Sequence, residues 1–494
     1  MAVHKTIGRN LLFTLTSNVG STIIGAVRTF MLARYLSPAE YGVLNIINLI
    51  LSYSNYADVG TNTGMLYRSS TLIGEGLLVD AANVRKQVML FTLYLSIVLS
   101  VVFLTLSVSS IQMVKSYETN LFFVGIGIPL FLILNYFYVE ARILENFRVI
   151  TIATILGAIA SLIITALIVT YYSGGMRVEA SVGAGLAGTF LAVVVFFFYL
   201  RVPLVRELDF RLVGKLIRLG LPLTIVPITY VIFQSVDRWV ISGSVSDTDF
   251  GYYAFGTTIG MMLTMLPNTL GVVLTPRLIQ RFGRSREPKD SSKIVLASLW
   301  ISAYVMAIVA GGVIIVMPYL LSYVFPTYLP GINVIDALIV ANCFLFSVPV
   351  ASSFLLASEK KRLLLLIYCV SILLEGFLVF AALKFFGIEW ASYSVMLCDL
   401  LLALCMACVS VYLVVPEWRT RRIFGLFLPF IVCLTTASLL ASGLSVTGGA
   451  ATDMFEIVKS CSLYLLYCGV FCITIAWLCG IQNDLPIIDS KILT

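Results

Sequence analysis

The chain has 494 residues, of which 60% are hydrophobic and 12% charged, with a formal net charge of +7. Soluble domains carry about 25% charged and about 45–50% apolar residues. This much apolar surface cannot be hidden inside one soluble core and must face lipid, which excludes a soluble enzyme or binding domain.

Runs such as 87–114 and 149–171 are almost continuously apolar. A membrane β-barrel needs alternating apolar and polar residues, whereas a bilayer core about 30 Å thick takes roughly 20 helical residues per span. The predicted class is therefore an all-α integral membrane protein of about fourteen spans. In chain order they lie near 10–33, 41–66, 87–114, 120–141, 149–171, 180–200, 216–242, 250–276, 294–318, 331–357, 363–385, 390–415, 423–445 and 456–480. Lys5 and Arg9 precede the first run, as in a signal peptide. That run is long, contains Asn18 and Arg28, and has no small-residue cleavage site after it, so it reads as a retained helix.

Most of the 32 basic residues fall in alternate connections. With the N-terminus cytoplasmic, the inside segments hold Arg85, Lys86, Arg142, Arg148, the groups at 201–218 and 277–293, Lys360–Arg362 and Arg419–Arg422. The positive-inside rule then places both termini on the cytoplasmic side of the membrane. The net charge is a topology signal, and no nucleic-acid partner is expected. His4 is the sole histidine and lies in the N-terminal tail, so no histidine is available inside the membrane. The ten cysteines begin at Cys343, lie in apolar runs and read as small hydrophobes; no metal and no cofactor is expected.

Arg28–Gly42 and Asp237–Gly251 look like two copies of one pattern. Each has an intramembrane arginine and then a polar turn, Ser37-Pro38-Ala39-Glu40 or Ser246-Asp247-Thr248-Asp249. An aromatic-glycine pair then opens the next span. Six spans per copy would place both copies in the same orientation, a common transporter plan with a substrate site between the halves. The predicted domains are an N-lobe over 1–200, a basic cytoplasmic linker over 201–218, a C-lobe over 216–415, and two extra helices with a tail over 416–494.

Polar residues recur at helical spacing in four spans. The first carries Asn18, Ser21, Thr22, Gly25, Arg28 and Thr29, and the second Asn45, Asn48, Ser52, Asn55, Asp58 and Asn62. The seventh carries Thr224, Pro227, Gln234, Asp237 and Arg238, and the eighth Tyr253, Thr257, Gly260, Thr264 and Asn268. Small polar residues can serve only to join helices. Four asparagines and an aspartate along one helix fit a water-filled cavity better, because charge at mid-bilayer is costly. Arg28 and Arg238 are candidates for holding an anion, since guanidinium presents fixed donors to phosphate oxygens. The alternative is a buried ion pair, Arg238 with Asp58 or Arg28 with Asp237. Glu375 and Asp399 lie mid-span and, with Asp58 and Asp237, are candidates for gating or ion coupling.

The segment Arg28–Gly42, together with Asp237-Arg238 and Gly251-Tyr252-Tyr253-Ala254, resembles the signatures of bacterial polysaccharide-repeat-unit flippases of the Wzx type. Their superfamily also holds the multidrug/toxin extruders and the lipid II flippase. The resemblance implies alternating-access transport of an undecaprenyl-pyrophosphate-linked oligosaccharide from the cytoplasmic to the periplasmic leaflet, coupled to an ion gradient. The implied partners are that lipid-linked oligosaccharide, the bilayer, and polysaccharide polymerase and chain-length proteins. Arg28, Arg238, Asn18, Asn48, Asn55, Gln234 and Asn268 are then the expected pyrophosphate and sugar residues.

Two rivals share the superfamily, a drug extruder and a lipid II flippase. An extruder's cavity should favour cations through carboxylates. A more distant rival is a membrane glycosyltransferase or polymerase, for which Asp247-Thr248-Asp249 would be a metal-holding DxD. It sits in a short turn, however, and its counterpart Pro38-Ala39-Glu40 lacks the pattern. No phosphate-binding loop of the ATPase kind occurs, so a transporter is expected and an enzyme is not.

Overall fold

The computed structural model describes residues 2–108, 118–171, 176–200, 207–265, 267–269, 271, 278, 292–414, 419–447, 462–469 and 471. Among them every regular element is helical, and ten helices are long and apolar enough to cross a membrane. The chain clusters into two compact units, Met1–Val231 and Ile232–Thr494.

In the first unit, α1 (Ala2–Tyr35) is one unbroken helix. Ser37 then starts α2 (Pro38–Tyr53) with a capping box: the Ser37 hydroxyl accepts from the Glu40 N–H, and the Glu40 carboxylate accepts from the Ser37 N–H at 2.8 Å. The expected span 41–66 is not continuous. After a 3₁₀ turn at 54–56, Val59 and Gly60 take φ of 54° and 82°, and α3 (Thr61–Gly74) starts afresh. Asp58 drives the break, because its carboxylate accepts the Asn62 N–H at 2.8 Å and so satisfies the donors of the new helix.

Two pairs of long helices complete this unit: α4 (Leu78–Val108) with α5 (Glu118–Ile143), and α6 (Phe147–Tyr171) with α7 (Met176–Leu200). Gly157 and Gly188 let α6 and α7 meet backbone to backbone; a Cβ on Gly157 would lie 2.7 Å from the Gly188 carbonyl oxygen. At one end of α4, buried Glu140 pairs with Arg85 at 2.7 Å, and the Tyr136 hydroxyl donates to the Arg85 carbonyl. Next to this pair the Gln87 amide clamps the chain at 207–209, donating to the Glu207 carbonyl at 3.1 Å and accepting from the Asp209 N–H at 2.8 Å.

Helix α8 (Phe210–Ser242) begins inside the stretch expected as linker, because Asp209 caps it by accepting from the Arg211 and Leu212 N–H groups. Its first half lies on α3 through glycines. A Cβ on Gly220 would overlap the Gly60 carbonyl oxygen, and one on Gly64 would overlap the Leu216 carbonyl oxygen. The Thr224 hydroxyl donates to that of Thr63 at 3.0 Å across the same crossing.

The second unit opens with the end of α8 and then α9 (Asp247–Leu263), started by Ser246. Ser246 accepts from the Asp249 N–H at φ −65°, ψ 153°, matching Ser37 at −66°, 157°. The two polar turns of the repeated pattern are thus the same helix-starting device. Next come α10 (Ser292–Tyr323), α11 (Ile332–Phe344), α12 (Val348–Ala357), α13 (Lys361–Phe386), α14 (Ile388–Val414) and α15 (Arg419–Thr447). The segment Pro326–Ala357, expected as a single span from 331, is broken by a 3₁₀ turn at 345–347 and is almost wholly enclosed by its neighbours. Ser347 closes the break by donating to the Ala403 carbonyl at 2.9 Å. Buried Tyr464 ties the last described helical segment to α10, donating to the Ile308 carbonyl at 2.9 Å. Cys405 and Cys408, at C-x-x-C spacing on α14, are free thiols.

Four expected spans are absent from the ten long apolar helices. The first carries the polar stripe, the second is broken at Asp58, the eighth stops as α9 at Leu263, and most of 456–480 lies outside the described residues.

Candidate functional site

In the first unit α1 turns Arg28 into the helix bundle. Its Nε donates to the Thr165 hydroxyl at 2.9 Å on α6, and Nη2 donates to the Ser181 carbonyl at 2.8 Å on α7. Thr165 can accept because its own proton goes to the Ser161 carbonyl at 2.7 Å. Within the unit Nη1 has no hydrogen-bond partner, and no carboxylate touches the guanidinium, among the described residues. A buried cation normally acquires a counter-charge. Here the guanidinium instead borders a cavity of about 260 Å³ lined by α1, α2, α5, α6 and α7. Asn48, Tyr138, Thr154, Ser161 and Thr189 supply its other polar groups. Gly185 makes the room, since a Cβ there would lie 3.2 Å from Arg28 Nη2.

The second unit gathers three carboxylates. Asp237 on α8, Glu375 on α13 and Asp399 on α14 are all buried, and with Gln234, Thr257 and Asn342 they line a cavity of about 20 Å³. That is room for roughly one water molecule or one small ion. The Tyr253 hydroxyl donates to Asp237 Oδ2, while Asp237 Oδ1 and Glu375 Oε2 are buried without partners among the described residues. Arg238, next along α8, donates through Nη2 to the Gln234 carbonyl at 2.6 Å, and its Nε is also buried and unmatched.

Of the residues expected at a site, Arg28 and Asn48 share the first cavity, and Gln234, Asp237, Glu375 and Asp399 share the second, with Arg238 beside it. Asn18, Asn55 and Asn268 are exposed and line neither cavity. Asp58 is spent on capping α3. Sequence reasoning missed Tyr138, Thr154, Ser161 and Thr189, although Ser161 and Thr165, and Ser181, Gly185 and Thr189, recur every four residues and so share helix faces. It also missed Asn342, a lone polar residue in an apolar run.

A family model described as polysaccharide biosynthesis protein matches residues 7–282. The chain belongs to this family. Its fold is shared by solved membrane transporters. Against the lipid II flippase MurJ in its inward closed conformation, the chain has a TM-score of 0.68 at 13% identity, with 93% of this chain and 98% of the other covered. An inward-facing multidrug resistance MATE family transporter of the MOP superfamily gives 0.65 at 12% identity, covering 87% and 96%. An outward-facing one gives 0.60 at 13% identity, covering 85% and 96%. No curated protein matches the sequence. The chain is thus a multi-pass membrane protein that shares the fold of these transporters.

Proposed function

We propose that this protein is a flippase that carries an undecaprenyl-pyrophosphate-linked oligosaccharide repeat unit from the cytoplasmic to the periplasmic leaflet of the bacterial inner membrane. The observation that carries the reading is Arg28: a guanidinium held in place by Thr165 and Ser181, with one nitrogen unmatched and a polar cavity in front of it. A member of a polysaccharide biosynthesis family with a cation bordering a polar cavity and no ATPase motif suits an anionic lipid-linked glycan moved by alternating access. The prenyl tail stays in lipid while the pyrophosphate and sugars cross. Exposed Asn18, Asn48, Asn55 and Asn268 offer amide donors and acceptors to sugar hydroxyls on the way.

Coupling belongs to the second unit. Three carboxylates around a space for one small ion can take up a proton or a monovalent cation and release it on the other side. Arg238, Asp237, Glu375 and Asp399 act together there. In this reading the substrate crosses by alternating access, and polymerase and chain-length proteins receive it outside.

A glycosyltransferase reading loses its support, because Asp249 is committed to Ser246 as a helix cap: its N–H donates to the Ser246 hydroxyl, which donates in turn to Asp249 Oδ2 at 2.7 Å. Deleting the gene tests the proposal. Lipid-linked repeat units should accumulate on the cytoplasmic face and surface polysaccharide should be lost. A change in drug resistance alone would point to an extruder, and arrested peptidoglycan synthesis to a lipid II flippase.

A further inference from the structure

The cavity at Arg28 lies wholly inside the first unit, and its size and wall chemistry are specific. Pockets for drug-sized ligands run to roughly 300–1,000 Å³; this one, at about 260 Å³, matches a single sugar ring. One wall is apolar, made by Leu51, Phe131 and Leu134, and suits the C–H face of a ring.

The remaining walls can be read donor by donor. Thr154 spends its proton on the Ile150 carbonyl at 2.7 Å, so in the 2.7 Å contact between Tyr138 and Thr154 the Tyr138 hydroxyl is the donor. The Tyr138 oxygen is left free to accept. Thr189 gives its proton to the Gly185 carbonyl at 3.0 Å and also keeps a free acceptor. The Ser161 hydroxyl, the Asn48 amide and Arg28 Nη1 have no hydrogen-bond partner among the described residues. The cavity therefore offers two fixed acceptors, two groups that both donate and accept, and one cationic donor.

We infer that this cavity is a subsite for one monosaccharide ring carrying an anionic group, with the anionic oxygen on Arg28 Nη1 and the ring hydroxyls on Tyr138, Ser161, Thr189 and Asn48. It rests on the reading of the cargo as a glycan and assigns this site the task of selecting one of its sugars. A glycosyl phosphate and a uronic acid share the required chemistry.

The test uses the purified full chain in detergent, with binding read by calorimetry for four probes: glucose 1-phosphate, glucuronate, methyl glucoside and inorganic phosphate. At least one of the first two should bind saturably, about ten- to hundredfold more tightly than either the neutral sugar or bare phosphate. Which of them binds identifies the source of the charge. Arg28→Gln should remove that preference. Ala158→Leu, which puts bulk into the cavity from its α6 wall without touching a polar group, should abolish binding while the protein stays monodisperse. Equal affinity for phosphate and glucose 1-phosphate, absence of saturable binding by either anionic sugar, or wild-type affinity in Ala158→Leu would each overturn the subsite. Any of these would leave the flippase reading standing if deletion still strands lipid-linked units. Sugar binding in a protein whose deletion strands none would leave the subsite and remove the flippase.

Discussion

The crossing of α3 and α8 makes a prediction whose sign can be worked from two glycines on one helix. A Cβ at Gly220 would overlap the Gly60 carbonyl oxygen and stand 2.6 Å from the Gly64 nitrogen, both backbone atoms that no rotamer change can move. Ordinary contacts begin near 3.4 Å, so Gly220→Ala must push the helices apart by about 1.5 Å, loosening the Thr224–Thr63 hydrogen bond of 3.0 Å as well. Inserting even one methyl group into a tight contact costs roughly 1–3 kcal/mol. In lipid, where apolar attraction between helices is weak, that packing is most of what holds the crossing. Gly214 lies six positions earlier on α8, and nothing stands within 4 Å of a Cβ there. Gly214→Ala should therefore stabilise the helix by about 0.5–1 kcal/mol. Thermal unfolding of the two variants in the same detergent should give shifts of opposite sign. If Gly220→Ala melts with or above Gly214→Ala, the close-packed crossing is wrong.

Three further outcomes follow from the described contacts. Arg85→Ala strands the buried Glu140 carboxylate and should cost about 3–5 kcal/mol, whereas Arg85→Met with Glu140→Leu should recover most of it; unfolding of the solubilised variants in denaturant measures both. Ser246→Ala removes the cap of α9 and should cost about 0.5–2 kcal/mol in melting experiments, while chelators leave export unchanged, which separates a cap from a metal-holding DxD. Replacing Asp237, Glu375 and Asp399 singly by their amides should stop gradient-driven flipping in vesicles and spare binding of the lipid-linked glycan; normal uphill transport by all three variants would remove the coupling role.

The long apolar runs were legible because a membrane-spanning backbone must satisfy its own hydrogen bonds, which leaves helix as the answer wherever twenty apolar residues run together. The helix-starting turns were legible for a similar reason: Ser37 with Glu40 and Ser246 with Asp249 act within three residues. What depends on distant partners was harder to see. Asp58 and Asn62 fit a helical stripe by spacing, yet the Asp58 cap and the positive φ of Val59 and Gly60 break the helix between them. Arg211, Lys215 and Arg218 were read as loop charge, although their four- and three-residue spacing marks one face of a helix that starts at Phe210. Arg85 was counted for topology alone, since nothing local points to Glu140 in the next long helix. Arg28 stood out in the sequence as a cation in an apolar stretch, but its neighbours Thr165 and Ser181 stand 137 and 153 residues away and no local pattern points to them.

The Arg85–Glu140 pair also sets an order of events at the ribosome. Arg85 is made 55 residues before its partner, and at about 5–20 residues per second the wait lasts roughly 3–11 s. Over that interval the Arg85 guanidinium, near the start of α4 and just ahead of its apolar run, has only water and headgroups to answer its charge. The 2.7 Å ion pair can close only once α5 has been made, so shielding of the Glu140 carboxylate from lipid waits on the two helices meeting.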